Sequence, residues 1–174
     1  IQAGELSGNI DGQARHAIGK FSHLHFASNN DAKKRLLNLG EQPFRIKVVG
    51  APQIDDIEIF KKKKSNFNKL KSLYNLPEKQ KYFLVVFHSV TEDIKNIKKN
   101  FITLFNVINN SSLKKVWILP NNDPGSIIIK NLLMSKRDDK NLIFENFPRE
   151  HYLAILQNSK AIIGNSSSGI IESS

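Results

Sequence analysis

Short apolar runs of three to six residues recur along this chain. Each stops at a glycine, a proline or a polar turn, and most are followed by a helical pattern. Tyr82–Phe87 is the clearest run, six apolar residues without alternation, which marks a strand buried on both faces. Leu24–Ala27, Ile46–Val49, Val116–Leu119, Leu142–Phe144 and Ala161–Ile163 are the others. Between them the spacing predicts helices over Asp11–Lys20, from Asn29 or Asn30 to Leu39, and over Glu92–Ile108, Gly125–Met134 and Arg149–Leu156. Gly40 stops the second of these. Ile94, Ile97, Phe101, Leu104, Phe105 and Ile108 are expected on one buried face of the helix they share. Short strands alternating with helices cannot pair as hairpins. They form a parallel sheet with helices on both faces, an α/β fold.

Composition sets limits on what such a chain does. Its 174 residues, 40% of them hydrophobic, suffice for a substantial core. It opens on Ile1 and stops at Ser174, about one turn into a helical pattern, so a piece of a longer protein is expected. No apolar run approaches the ~18 residues that span a membrane, and there is no signal-peptide layout. The chain has no cysteine, which removes disulfides and thiol chemistry and fits the cytoplasm. The net charge of +10 invites a nucleic-acid reading. Lysine supplies most of it, however, whereas nucleic-acid faces draw on arginine and stacked aromatics. The Lys61–Lys64 run reads as a solvated helix end or linker, with anion binding as the alternative. Neither a nucleic acid nor a membrane is therefore expected as a partner.

In an open parallel sheet, ligands lie beyond the carboxyl ends of the strands. Three polar clusters occupy such ends: His88-Ser89-Val90-Thr91-Glu92, Asn121-Asn122-Asp123-Pro124-Gly125-Ser126 and Asn165–Ser168. The last opens Asn165-Ser166-Ser167-Ser168-Gly169-Ile170-Ile171-Glu172, a strand, tight turn and helix start that together offer backbone N–H groups and hydroxyls to an anion. Glu172, one turn in, is placed to accept from a sugar hydroxyl. The same serines would also serve as plain helix caps. A further polar cluster comprises Gln2, Glu5, Asp11, Arg15 and His16, of which Asp11 and Arg15 are four apart on one helix. His23 and His25 share a strand face by period two, but no further ligand follows at metal-site spacing, so no metal is expected.

These residues, taken in order, resemble the UDP-N-acetylglucosamine 2-epimerases, especially their hydrolysing branch in sialic-acid and legionaminic-acid biosynthesis. The resemblance rests on Ala3-Gly4-Glu5, Ile10-Asp11 with Arg15-His16-Ala17-Ile18, Ser22-His23-Leu24-His25-Phe26, and Val49-Gly50-Ala51-Pro52. It continues through Phe87-His88 with Val90-Thr91, Pro120-Asn121 with Asp123 and Gly125-Ser126, and Gly164-Asn165-Ser166-Ser167 with Gly169 and Glu172. It implies a glycosyltransferase-B-like fold of two Rossmann-like domains, here cut at both ends. Residues 1–50 would be the last part of the first domain, 51–80 a junction, and 81–174 most of the UDP-binding domain. The implied reaction eliminates UDP across C1 and C2 of the sugar, after which hydrolysing members add water. It calls for no cofactor, and a homo-oligomer is expected of the full-length protein. His88 matches the family's essential histidine, and Asp11 and Glu5 are the accompanying catalytic candidates. Asn165, Ser166, Ser167, Ser168, Gly169 and Glu172 match the UDP site, and Arg15, Asn121, Asp123 and Ser126 the substrate cleft. Gln2 stands where some relatives carry a catalytic glutamate. The rival readings are a non-hydrolysing epimerase, a UDP-sugar glycosyltransferase on the same fold, and a nucleotide-binding module without catalysis.

Overall fold

The computed structural model describes residues 2–7, 10–62, 67–78 and 81–173. The chain divides into two compact units, Ile1–Glu58 and Ile59–Ser174.

In the first unit, α1 (Ile10–Lys20) leads to β1 (His25–Ala27), α2 (Asn30–Asn38) and β2 (Ile46–Val48), and α3 (Pro52–Lys62) begins at its end. β1 and β2 are parallel, with His25 opposite Ile46, and Gln2 bridges Phe26 on the same sheet. The Asn29 side chain accepts from the Ala32 N–H at 2.8 Å, which settles which of the two asparagines caps α2. The core is small: Ala3, Ala27, Ala32, Leu36 and Ile46. Alanine dominates it because backbones approach closely there. Gly4, at φ +83°, lies against α2 so tightly that a Cβ would come 2.3 Å from the Ala32 carbonyl oxygen. On α1, Ile18 remains 55% exposed.

The second unit holds α4 (Phe67–Tyr74), β3 (Tyr82–Val86), α5 (Ile97–Asn109), β4 (Lys114–Ile118), α6 (Ser126–Met134), β5 (Asn141–Phe144), α7 (Arg149–Asn158), β6 (Ala161–Gly164) and the single turn α8 (Ser168–Ile171). All strand pairs are parallel, in the order β5-β4-β3-β6. Residues of β3 alternate between two cores. Val85 packs with Ile97, Phe101, Phe105, Trp117 and Ile129 on the α5/α6 side. Tyr82, Leu84 and Val86 pack with Leu76, Val116 and Ile155 on the other, where Phe67 and Tyr74 of α4 also lie. Two covered faces explain why Tyr82–Val86 is apolar throughout. Two aromatic side chains buried in these cores have their polar tips satisfied: the Tyr82 hydroxyl donates to the Ile155 carbonyl at 2.7 Å, and the Trp117 indole N–H to Asn141 Oδ1 at 3.1 Å.

The helix expected over Glu92–Ile108 starts instead as a 3₁₀ turn, Thr91–Asn96, with Asp93 outside helical geometry at φ −125° and ψ 31°. The kink swings Ile94 away from the buried stripe, to 38% exposure, while Ile97, Phe101, Phe105 and Ile108 stay inside. Asp93 takes the amides of Asn96 and Asn100, which holds the kink.

Candidate functional site

The strand order has a physical consequence. From β3 the chain steps outward to β4 and β5, then returns to place β6 on the opposite side of β3. β3 and β6 are therefore adjacent, and their carboxyl ends lie side by side at the sheet edge where open α/β sheets bind ligands. His88 follows β3 and Asn165–Glu172 follow β6, so the first and third polar clusters meet at these strand ends.

His88 is half-buried and is held from both neighbouring strands. On the β4 side, the Asn121 backbone N–H donates to His88 Nδ1 at 3.2 Å. A ring nitrogen that accepts carries no proton, so the neutral ring keeps its hydrogen on Nε2. Burial pushes the His88 pKa below its ordinary value. The nearby Asp123 carboxylate and the Asn121 side chain oppose that shift without reversing it. Asp123 is itself tied to Asn121, whose side-chain amide donates to it at 2.5 Å. On the β6 side, the Asn165 side chain bonds the His88 backbone twice, accepting from its N–H at 2.8 Å and donating to its carbonyl at 3.0 Å.

Ser166 and Ser167 lie in the turn that leads into α8, and Gly169 is the second residue of that helix. Ser166 Oγ accepts from the Ser168 N–H at 3.3 Å. Ser168 Oγ donates to Glu172 at 2.5 Å and also meets the Tyr152 hydroxyl. Since Ser168 spends its hydrogen on the carboxylate, Tyr152 is the donor in that second bond. Burial raises the Tyr152 pKa, which keeps that proton in place. Arg149 pairs with the other carboxylate oxygen of Glu172. Glu172 is thereby oriented directly by two side chains, Arg149 and Ser168, and through Ser168 by Tyr152; Arg149 and Tyr152 both come from α7. Sequence reasoning named neither. Their one signal was position, since α7 begins directly beyond the end of β5.

A cleft of about 470 Å³ opens beside His88. Pro120, Asn121, Asn122 and Ser126 line it after β4, joined by Lys130 of α6 and by Glu145 and Asn146 beyond β5. Ser126 is the first residue of α6, behind Gly125 at φ +89°. A Cβ on Gly125 would come 2.6 Å from Ile97 Cδ1, so glycine there lets α6 start close under the cleft. Lys130, Glu145 and Asn146 were not expected here. Each is an ordinary polar residue in sequence, marked only by lying near a strand or helix end.

The remaining candidates belong to the first unit. Glu5 accepts from the Gln2 amide at 2.8 Å and lies 4.0 Å from the Arg15 guanidinium. Asp11 is exposed in the first turn of α1, one turn before Arg15. His23 and His25 do not form a pair. His23 lies outside β1 and is exposed, whereas His25 is fully buried with Nε2 3.0 Å from Glu41. Lys20 donates to the other Glu41 oxygen at 2.7 Å, and that bond holds the Glu41 carboxyl below the usual range. The side chains of Lys61–Lys64 lie outside the described residues.

The sequence model of one family, described as UDP-N-acetylglucosamine 2-epimerase, matches residues 1–174. The chain is 34% identical over 173 residues to the UDP-N,N'-diacetylbacillosamine 2-epimerase (hydrolyzing) of Legionella pneumophila, covering 99% of the chain and 45% of that protein. It is 33% identical to the UDP-N-acetylglucosamine 2-epimerase of Neisseria meningitidis serogroup B, again over 99% and 45%. Its fold matches the crystal structure of a Neisseria meningitidis UDP-GlcNAc 2-epimerase bound to UDP-GlcNAc, with a TM-score of 0.73 at 20% identity, over 98% of the chain and 48% of that structure. The chain thus spans about half the length of the curated relatives it matches.

Proposed function

The chain belongs to the UDP-N-acetylglucosamine 2-epimerase family, and from that premise we propose that it is the central part of a hydrolysing 2-epimerase. The substrate is UDP-N-acetylglucosamine or a close UDP-amino sugar, and the products are a free sugar inverted at C2 and UDP. The hydrolysing branch is favoured by the similarity to the Legionella pneumophila protein, which is named as hydrolysing. One observation carries the site assignment. A half-buried histidine with Nδ1 committed as an acceptor stands at the carboxyl end of β3, beside the cleft lined by the residues after β4 and β5.

In the elimination, the C2–H bond breaks and its proton passes to a base. The electron pair forms the C1–C2 double bond, and the C1–O bond breaks with its electrons on the departing diphosphate. His88 is neutral near pH 7 and has Nε2–H free to donate, so it suits the leaving oxygen better than the C2 proton. Ser166 and Ser167, with the backbone N–H groups of their turn, take the diphosphate. Glu172, oriented by Arg149 and Ser168, accepts from the ribose hydroxyls. Asn121, Asp123 and Ser126 border the sugar cleft. Glu5 and Asp11 of the first unit are the candidates for the base, with Arg15 beside Glu5. In the second step, water adds across the double bond and releases the free sugar. Residues 1–50 close the first domain, 51–80 join it to the second, and the full-length form works as a cytoplasmic homo-oligomer.

The similarity to the Neisseria meningitidis protein, whose name carries no mention of hydrolysis, favours a second reading in which the product stays linked to UDP. Proton NMR of the full-length enzyme's products separates the two. Free N-acetylmannosamine-type sugar with stoichiometric UDP is expected. Accumulation of an epimerised UDP-sugar without free UDP would overturn hydrolysis in favour of the second reading.

A further inference from the structure

We infer that Asn165 is a positioning residue for His88, acting as an amide clamp that carries the β3–β6 ladder two residues beyond its last backbone rung. The inference rests on the reading of His88 as the group that assists UDP departure.

The ladder between β3 and β6 ends with Val86 opposite Gly164, and the Asn165 N–H still reaches the Val86 carbonyl at 3.3 Å. Beyond that point β6 turns away, and no backbone remains beside His88 to pair with it. The Asn165 side chain fills that role. A primary amide presents one acceptor and one donor about as far apart as those of a peptide group, so it replaces the missing rung. Oδ1 takes the His88 N–H at 2.8 Å and Nδ2 reaches its carbonyl at 3.0 Å, joining residues 77 apart in sequence. An aspartate would meet the His88 carbonyl with a second oxygen, so only an amide satisfies both ends.

Gly164 is the device that delivers this side chain. At φ +140° it turns the chain where a Cβ would lie 1.9 Å from the Val86 carbonyl oxygen, a contact that excludes any other residue. The turn drops Asn165 alongside His88. The backbone of His88 is then fixed by Asn165 after β6 and its ring by Asn121 after β4. Orientation of a reacting group is steep in its effect on rate, and a displacement of the order of ~1 Å can cost on the order of 10²-fold. With both polar ends of its amide on the histidine backbone, Asn165 supports the catalytic group in preference to contacting UDP.

The test uses the full-length enzyme and four variants: Asn165→Ala, Asn165→Asp, His88→Asn, and the double variant His88→Asn/Asn165→Ala. Turnover is followed by UDP release and affinity by calorimetric titration of UDP. Asn165→Ala is expected to lower kcat roughly 10- to 100-fold and to leave the UDP Kd within about twofold, the signature of lost orientation. The double variant is expected to be no slower than His88→Asn, because Asn165 acts through His88. Asn165→Asp keeps one bond and adds a negative charge beside the His88 backbone. It should lose less activity than Asn165→Ala and move the acid limb of the kcat profile to higher pH. If Asn165→Ala does not fold, the Asn165→Asp profile decides, and an unmoved limb with undiminished kcat overturns the clamp. Weakened UDP binding with unchanged kcat in Asn165→Ala makes Asn165 a ligand contact and overturns positioning alone, as does a double variant slower than His88→Asn by the full Asn165→Ala factor. Undiminished turnover in His88→Asn instead removes the reading of His88 itself, and the clamp's role with it.

Discussion

At the scale of single residues, the protonation of His88 sets the pH behaviour. Burial depresses its folded-state pKa, so the folded protein resists taking up a proton that the unfolded chain accepts near pH ~6.5. Between the folded-state and unfolded-state values, the unfolded chain binds more protons, so stability rises with pH. That contribution is present in full above about pH 6.5, falls as acid is added, and levels off once the folded-state pKa is passed. Protonation also turns Nδ1 into a donor facing the Asn121 N–H, so the bond that orients the ring is lost over the same window. We expect urea midpoints of the wild type to drop between about pH 7 and pH 5 more than those of His88→Asn, which has no such group. Equal slopes for the two proteins would show that the ring is not buried as a neutral species.

At the scale of elements, the join between β3 and β6 matters most, because the site's two halves hang from these strands. Gly164→Ala forces a Cβ against the Val86 carbonyl, and neither backbone can give way without breaking the ladder. The expected cost is roughly 2–4 kcal/mol, in the range of strain at a special backbone position. Chemical denaturation measures it, and an alanine variant of unchanged stability would mean that β6 does not run as described. Packing elsewhere is ordinary by comparison. Phe101 and Phe105 both lie about 6 Å from the Trp117 ring, centroid to centroid, and tie α5 to β4 through contacts that any well-filled core supplies.

At the scale of the whole molecule, the catalytic candidates fall in both units, with Glu5, Asp11 and Arg15 in the first and His88 in the second. Among the described residues, the first unit has two parallel strands and a five-residue, alanine-rich core, and it leaves Phe21, Phe44 and Leu6 largely exposed. So small a core gives little independent stability. We expect the 174-residue chain by itself not to release UDP from UDP-N-acetylglucosamine, while the full-length enzyme does. Turnover by the purified chain, followed by UDP appearance, would contradict this. Among the described residues, no helix is long and apolar enough to cross a membrane.

Periodicity and turn chemistry act locally, and so the sequence by itself determined what is local. Tyr82–Phe87 announced a doubly covered strand, Gly40 the end of α2, and the polar residues after the runs the carboxyl ends of the strands. The start of α5 was misread because a 3.6-residue pattern says nothing about Asp93, whose side chain holds a kink instead of a turn. Tertiary structure alone decided the rest. Strand order is not written in any segment, yet it is what brings Asn165 to His88. Tertiary structure separated two histidines expected to share a strand face, burying His25 beside Glu41 and leaving His23 exposed. It also recruited Arg149 and Tyr152, unremarkable on their helix, to orient Glu172 and Ser168. The reason is physical: hydrogen-bond partners tens of residues apart become neighbours only when the hydrophobic faces of several elements have chosen their layers. That choice is a property of the assembled core, and no single element carries it.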